Sequence, residues 1–238
     1  ADLVMMQPRD PASTSRQGLG TLIAKLAEAV PVVLSTPVTR IAWSGRDAQI
    51  ETDAGTLTAR AVIVTASTNV INSGKIKFSP DLPKRQLDAL SKLGLGSTDH
   101  IALELPGNPL GLGRDDAYIE QSTGHRTGFL LANVGGSSLC QVDVAGAFGS
   151  DLSAQGEAAM TAFAIEWLRK LFGADLAKIV KSSSVTRWNE MPYIMGAMSV
   201  AEPGGQPSRK VLMEPLGPLF FAGDAVHETQ WGTVGGAW

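Results

Sequence analysis

A single cysteine, Cys140, stands among 238 residues. One thiol cannot close an internal disulfide, and no Cys/His cluster with zinc spacing accompanies it. Disulfide scaffolds and a metal site are therefore excluded, and a reducing, cytoplasmic setting is the simplest expectation. Long apolar runs are also missing: none reaches the roughly 18 residues that a membrane-spanning helix needs. The first residues, ADLVMMQPRD, lack the basic stretch followed by an apolar one that marks a signal peptide. Nor is there a basic excess. The formal net charge is -3, and no basic run exceeds the pairs Lys84-Arg85 and Arg209-Lys210. Without a broad positive field to neutralise phosphates, nucleic acid is excluded as a partner, and a membrane is not expected either.

What is present is ordinary for a folded chain: 44% apolar and 18% charged residues, enough for one large domain or two modest ones. The chain starts without a methionine and stops at GTVGGAW, which reads as a helix start; a piece of a longer protein is expected. Residues 1–17 read as an extended arm. Residues 18–29 place Leu19, Leu22, Ile23 and Leu26 on one stripe of a helix. β-type runs follow at Val32–Leu34, Val38–Trp43, Gln49–Thr52 and Thr56–Thr58, with hairpin chemistry at Ser44–Asp47 and Asp53–Gly55. Ala61–Thr65 is short, apolar and β-branched, as suits a parallel strand covered on both faces.

Beyond the linker marked by Pro80 and Pro83, a helix is expected from Lys84 to Leu93, ended by Gly94. Four β segments come next: His100–Leu105, Ala117–Gln121, Gly128–Asn133 and Leu139–Val144. A long helix over 154–172 carries Met160, Phe163, Ala164, Trp167, Leu168 and Leu171 at the 3.6 period and ends at Gly173. Val180–Trp188 reads as a strand, 189–218 as a loop with five prolines, and Leu219–Ala222 as a buried strand. The fold class is thus mixed, α+β and α/β. Residues 1–75 and 217–238 belong to one domain, and 76–216 form an antiparallel-sheet-and-helix domain inserted between them.

The strongest local signal is Leu219-Phe220-Phe221-Ala222-Gly223-Asp224, a buried strand ending in glycine and carboxylate. Ligands of open α/β sheets sit at such strand ends. A glycine lets backbone approach the ligand, and a carboxylate accepts from sugar hydroxyls. The bland reading is that Asp224 caps the next helix. For His227-Glu228 and His125 no third ligand stands at metal spacing, and Glu228 reads as complementing a helix dipole.

Phe220–Thr229 followed by Trp231-Gly232-Thr233-Val234-Gly235-Gly236-Ala237 resembles the C-terminal flavin motif of the flavin-containing monoamine oxidase family, F-A-G-E then G-T-V-x-G-A. Val32–Ser67, Lys75–Leu105 and the segment opened by Trp188 resemble further family segments in the same order. The resemblance implies part of a Rossmann-like FAD domain with a β-meander, plus a substrate domain. It implies FAD as cofactor, held here by Gly223, Asp224, Trp231, Gly232, Thr233 and Val234. It implies oxidation of a C–H next to an amine by hydride transfer to flavin N5, with O2 as acceptor and a small-molecule amine as substrate. Tyr193, Met195, Met198 and Thr233 would line the substrate side; a homodimer is compatible.

Departures from the family pattern matter. Asp224 stands where the family has Glu. His100 stands where a family lysine holds a water near N5; a neutral imidazole holds water too and titrates near neutrality. The other reading of His100 is a strand-starting residue bonded to backbone. Met198 and Thr233 occupy the positions of the two aromatic rings that frame the amine. The G-x-G-x-x-G pyrophosphate fingerprint is missing: Gly18-x-Gly20 follows no strand and Ile23 fills the third slot. Absent or weak FAD binding, and no activity, is expected of these 238 residues alone. Two alternatives stay open, a related FAD oxidoreductase acting on a non-amine and a non-catalytic binding module on the same scaffold.

Overall fold

The computed structural model describes Ser15 and residues 17–122, 124–173 and 175–238. The arm expected over 1–17 lies almost wholly outside the described residues. The first helix, α1 (Leu19–Leu26), forms on its leucine stripe yet buries none of its residues. Val32-Val33-Leu34, expected as a strand, pairs with nothing among the described residues, and Val33 is 77% exposed. β-branched residues favour a strand only when a partner edge is within reach.

The meander forms as its turn chemistry dictates. β1 (Val38–Ala42) and β2 (Ala48–Thr52) pair antiparallel with Ile41 opposite Ile50, and β3 (Gly55–Ala59) follows with Leu57 opposite Ile50. Next come β4 (Val62–Val64), the short helix α2 (Thr68–Asn72) and β5 (Lys77–Ser79), which adds to β1 in parallel just before the expected linker. Helix α3 (Lys84–Ser91) ends at Lys92 rather than Gly94, because Gly94 lies within β6 (Leu93–Leu95).

The second sheet is built from β7 (Thr98–Glu104), β8 (Ala117–Ile119), β9 (Phe129–Leu131) and β10 (Leu139–Ala145). The helix expected over 154–172 is α5 (Glu157–Phe172); α4 (Gly146–Ala154), not anticipated from the sequence, precedes it and is parted from it at Gly156, whose φ of 97° no helical residue takes. Gly173, left-handed, ends α5 as expected. β11 (Ser182–Val185) completes the sheet in the order β11-β7-β10-β9-β8. The expected loop 189–218 holds two elements: β12 (Ser199–Ala201), paired with β6, and α6 (Ser208–Met213). Last come β13 (Leu219–Phe221), parallel to β4, and the terminal turn of helix α7 (Val234–Ala237).

Two apolar cores result. Strand alternation sends Ile101, Leu103, Leu130, Val142 and Val144 to one face, where α5 covers them with Met160, Phe163, Trp167 and Leu168. Leu171, expected on that stripe, is instead partly exposed. Each fully buried side chain contributes roughly 1.5–3 kcal/mol. The second core gathers Ile41, Val64, Leu90, Leu93, Leu212, Leu219 and Phe221 around the β4–β13 pair. That pair is not covered on both faces, as its composition suggested: Ile63 is 65% and Phe220, its partner in register, 39% exposed. Among the described residues no helix is long and apolar enough to cross a membrane.

Candidate active site

β4 and β13 run parallel, so both chains leave the pair at the same end. After β13 the backbone passes through Gly223 at φ 125° into Asp224. A Cβ on Gly223 would meet no atom within 4 Å, so open space lies beside the strand end. Asp224 does not cap the 3-10 turn Asp224–Val226 that it opens, since no side-chain cap bond forms there. Its Oδ2 instead accepts from the backbone N–H of Ser199 and of Gly232, each at 3.1 Å. The other oxygen, Oδ1, has no hydrogen-bond partner among the described residues. One carboxylate therefore clamps β12 to the glycine turn and keeps acceptor capacity.

The turn itself is locally determined. Gly232 takes φ 70°, and Thr233 Oγ1 accepts from Gly236 N–H at 3.0 Å while donating to the Gln230 carbonyl at 2.7 Å, which starts α7. Val234 follows, exposed. His227 Nδ1 accepts from the N–H groups of Thr229 and Gln230, so it shapes the turn. Glu228 complements no helix dipole; it pairs with Lys210 at 3.3 Å.

A second wall comes from the ends of β4 and β6. Ser67 Oγ donates to the Ile194 carbonyl at 2.6 Å, and Asn69 Nδ2 donates to the Met195 carbonyl at 2.7 Å. Asn69 Oδ1 also accepts from Leu95 N–H. Gly96 and the 197–198 segment exchange backbone bonds of 2.9 and 2.8 Å. A Cβ on Gly196 would collide with Leu95, so only glycine lets these backbones lie so close. Met198 is thereby held against the turn, its Cβ, Cγ and Sδ 3.5–3.7 Å from where a Gly232 Cβ would sit. Met195 holds φ 64°, and Tyr193 is 67% exposed on the same loop. Trp188 is half-buried at the head of a 3-10 turn, neither in the expected strand nor fully in a core.

Sequence reading missed the group beneath this site. Arg209 is fully buried on α6. Its Nη1 donates to Ser199 Oγ at 3.0 Å and the Ala225 carbonyl at 2.7 Å, its Nε donates to Gln206 Oε1 at 2.7 Å, and its Cζ lies 5.0 Å from the Trp231 ring centroid. Burial pushes its pKa down while Asp224 pulls it up. The sequence shows Arg209 only as half of a basic pair.

His100 is the third residue of β7, and its ring bonds to no backbone atom among the described residues. Its Nδ1 lies 2.6 Å from Asp143 Oδ1 on β10. The neighbouring Asp99 points the other way, accepting from Thr186 Oγ1 and from the N–H of Trp188, whose carbonyl in turn accepts from Gly196 N–H. Hydrogen bonds through the Asp99 carboxylate and the backbone thus lead from the His100 strand to the Met198 loop and, through Asp224, to the glycine turn.

The family model for flavin-containing amine oxidoreductases matches residues 1–238. The chain belongs to that family. Among curated relatives of this family member, human lysine-specific histone demethylase 2 is 29% identical over 233 residues, covering 93% of this chain and 28% of its own length. Probable polyamine oxidase 4 of Arabidopsis thaliana is 28% identical over 240 residues, 93% of this chain and 45% of that protein. Among solved structures, cyclohexylamine oxidase from Brevibacterium oxydans IH-35A superposes with a TM-score of 0.77 at 20% identity, covering 92% of this chain and 50% of that one. The chain spans half or less of the length of each of these three relatives. The mixed α/β fold with several sheets is that of the amine oxidases.

The family implies FAD, and one wall of the site fits it: an acceptor oxygen on Asp224 without a partner among the described residues, open space beside Gly223, and a glycine turn held next to both. A pyrophosphate fingerprint does not occur in the sequence.

Proposed function

We propose that this family member contributes one wall of the flavin site and the substrate-facing sheet of an FAD-dependent amine oxidase, with O2 as acceptor and a small-molecule amine as substrate. The observation that carries this is Asp224: one oxygen gathers Ser199 and Gly232, and the other stays available at the end of a parallel strand pair. Gly223, Asp224, Trp231, Gly232, Thr233 and Val234 would hold the ring and ribityl portion. When bound, the flavin supplies the two-electron acceptor for the C–H next to the amine. Met198, Met195 and Tyr193 supply apolar surface that disfavours an ammonium over the neutral amine from which hydride leaves. A phosphate-binding segment outside these residues completes the site; the uncovered face at Ile63 and Phe220 is apolar surface suited to such a segment.

Titrating FAD fluorescence with the chain and with Asp224→Ala tests the reading. Weak binding that the substitution abolishes is expected, with no peroxide from amines until the phosphate-binding segment is supplied. Binding unchanged by Asp224→Ala would overturn the assignment. A stoichiometric yellow flavin on the purified 238-residue chain would show that no further segment is needed. No observation favours a non-amine substrate or a non-catalytic role over this reading.

A further inference from the structure

The register of the large sheet places a polar cluster at one end of an apolar shelf. On the face turned away from α5, His100 stands opposite Asp143, and Asp143 opposite Phe129, which in turn faces Ile119. The adjacent row runs Ser184, Ala102, Gln141, Leu131 and Ala117. None of these side chains contributes to the buried core of the sheet. Asp143 Oδ1 lies 2.6 Å from His100 Nδ1 and accepts from Gln141 Nε2 at 2.8 Å. The Gln141 amide nitrogen is also 3.1 Å from His100 Nδ1. A carboxylate only accepts, and an amide nitrogen only donates. The proton between His100 and Asp143 must therefore reside on Nδ1, and Gln141 serves the carboxylate. Nε2 has no hydrogen-bond partner among the described residues, and the side chain is 42% exposed.

We propose that Asp143 and Gln141 are positioning residues that fix His100 with its proton on Nδ1, leaving Nε2 bare to take the proton of a substrate ammonium or of a water. The substrate half of this rests on the amine-oxidising reading above; the geometry does not. In the transfer the N–H bond of the ammonium breaks, its electron pair stays on the amine nitrogen, and the proton goes to Nε2. The imidazolium then returns it to solvent. The charged groups acting on the ring are Asp143 from β10 and Asp99 from its own strand; Gln141, Thr186 and Phe129 are neutral. The hydrogen bond to Asp143 is the largest influence and raises the His100 pKa, against which burial works. Acceptor capacity therefore appears as pH rises through that raised value.

The chain has three histidines, so His100 is assignable by long-range proton–nitrogen correlation spectra of the 238-residue protein, with His100→Gln removing one set of signals. The expected result is a neutral imidazole protonated at Nδ1, titrating above the ordinary value of about 6.5. Asp143→Asn should lower that value and move the neutral proton toward Nε2; Gln141→Met should shift it in the same sense but less. A neutral His100 protonated at Nε2 in the unsubstituted protein, or an Asp143→Asn variant whose His100 titrates unchanged, would overturn the proposal. These spectra need no flavin and no amine. A failed peroxide assay beside the expected spectra would count against the amine-oxidising reading alone.

Discussion

Replacing Arg209 should loosen the floor of the candidate flavin site. The guanidinium is fully buried and makes three hydrogen bonds, to Ser199, Ala225 and Gln206, while stacking on Trp231. Hydrogen bonds to a charged donor contribute about 1.5–3 kcal/mol each, and a desolvated cation–π contact up to about 2. These do not sum, because burying the charge is itself costly and Nη2 has no partner among the described residues. Removing one side of such a buried network typically costs about 3–5 kcal/mol. Arg209→Ala should lose that much, because the buried Ser199 hydroxyl and the part-buried Ala225 carbonyl lose their donor. At about 2–4 °C per kcal/mol for a chain of this size, Tm falls by roughly 6–20 °C. Arg209→Met fills most of the volume and should lose only about 1–3 kcal/mol. Urea unfolding followed by far-ultraviolet circular dichroism gives the stabilities, and tryptophan emission reports on Trp231. A loss below about 1 kcal/mol in Arg209→Ala, or a larger loss in Arg209→Met than in Arg209→Ala, would refute the reasoning.

Other outcomes follow from the same contacts. The His100–Asp143 pair raises the folded-state pKa, so its ionic stabilisation is fully present below about pH 6.5 and lost as pH rises through the folded value. Asp143→Asn should therefore shift the urea midpoint more at pH 5.5 than at pH 9. Gly196→Ala, at φ 154° and against Leu95, should cost about 1–3 kcal/mol and perturb the Met198 loop, visible as weaker FAD binding beyond the stability loss. Leu168→Ala, in the fully buried stripe of α5, should cost about 2–5 kcal/mol by thermal melting and leave the His100 titration in place.

Sequence periodicity and turn chemistry carry much of this fold. The meander was legible because Asp53-Ala54-Gly55 and Ser44–Asp47 are local turns. The stripe of α5 was legible because apolar residues repeat every three or four positions. Less was readable in 189–218, where five prolines suggested a loop. β12 exists there because β6 offers it an edge more than 100 residues earlier in the chain, and α6 because Leu212 finds the second core. α4 was not legible, because its segment GAFGSDLSA holds two glycines and too few apolar residues to show a stripe; Gly156 parts it from α5.

The order of segments, the strand ending in Gly223-Asp224 and the glycine turn after it are properties of the sequence alone, and they determined the family. Tertiary structure decided what those residues touch: Asp224 with Ser199, Arg209 with Trp231, His100 with Asp143. Local pattern fixes which way a side chain points along its own element. Its partner is set by packing between elements far apart in the chain, where a contact's free energy depends on burial and geometry that no short stretch of sequence encodes.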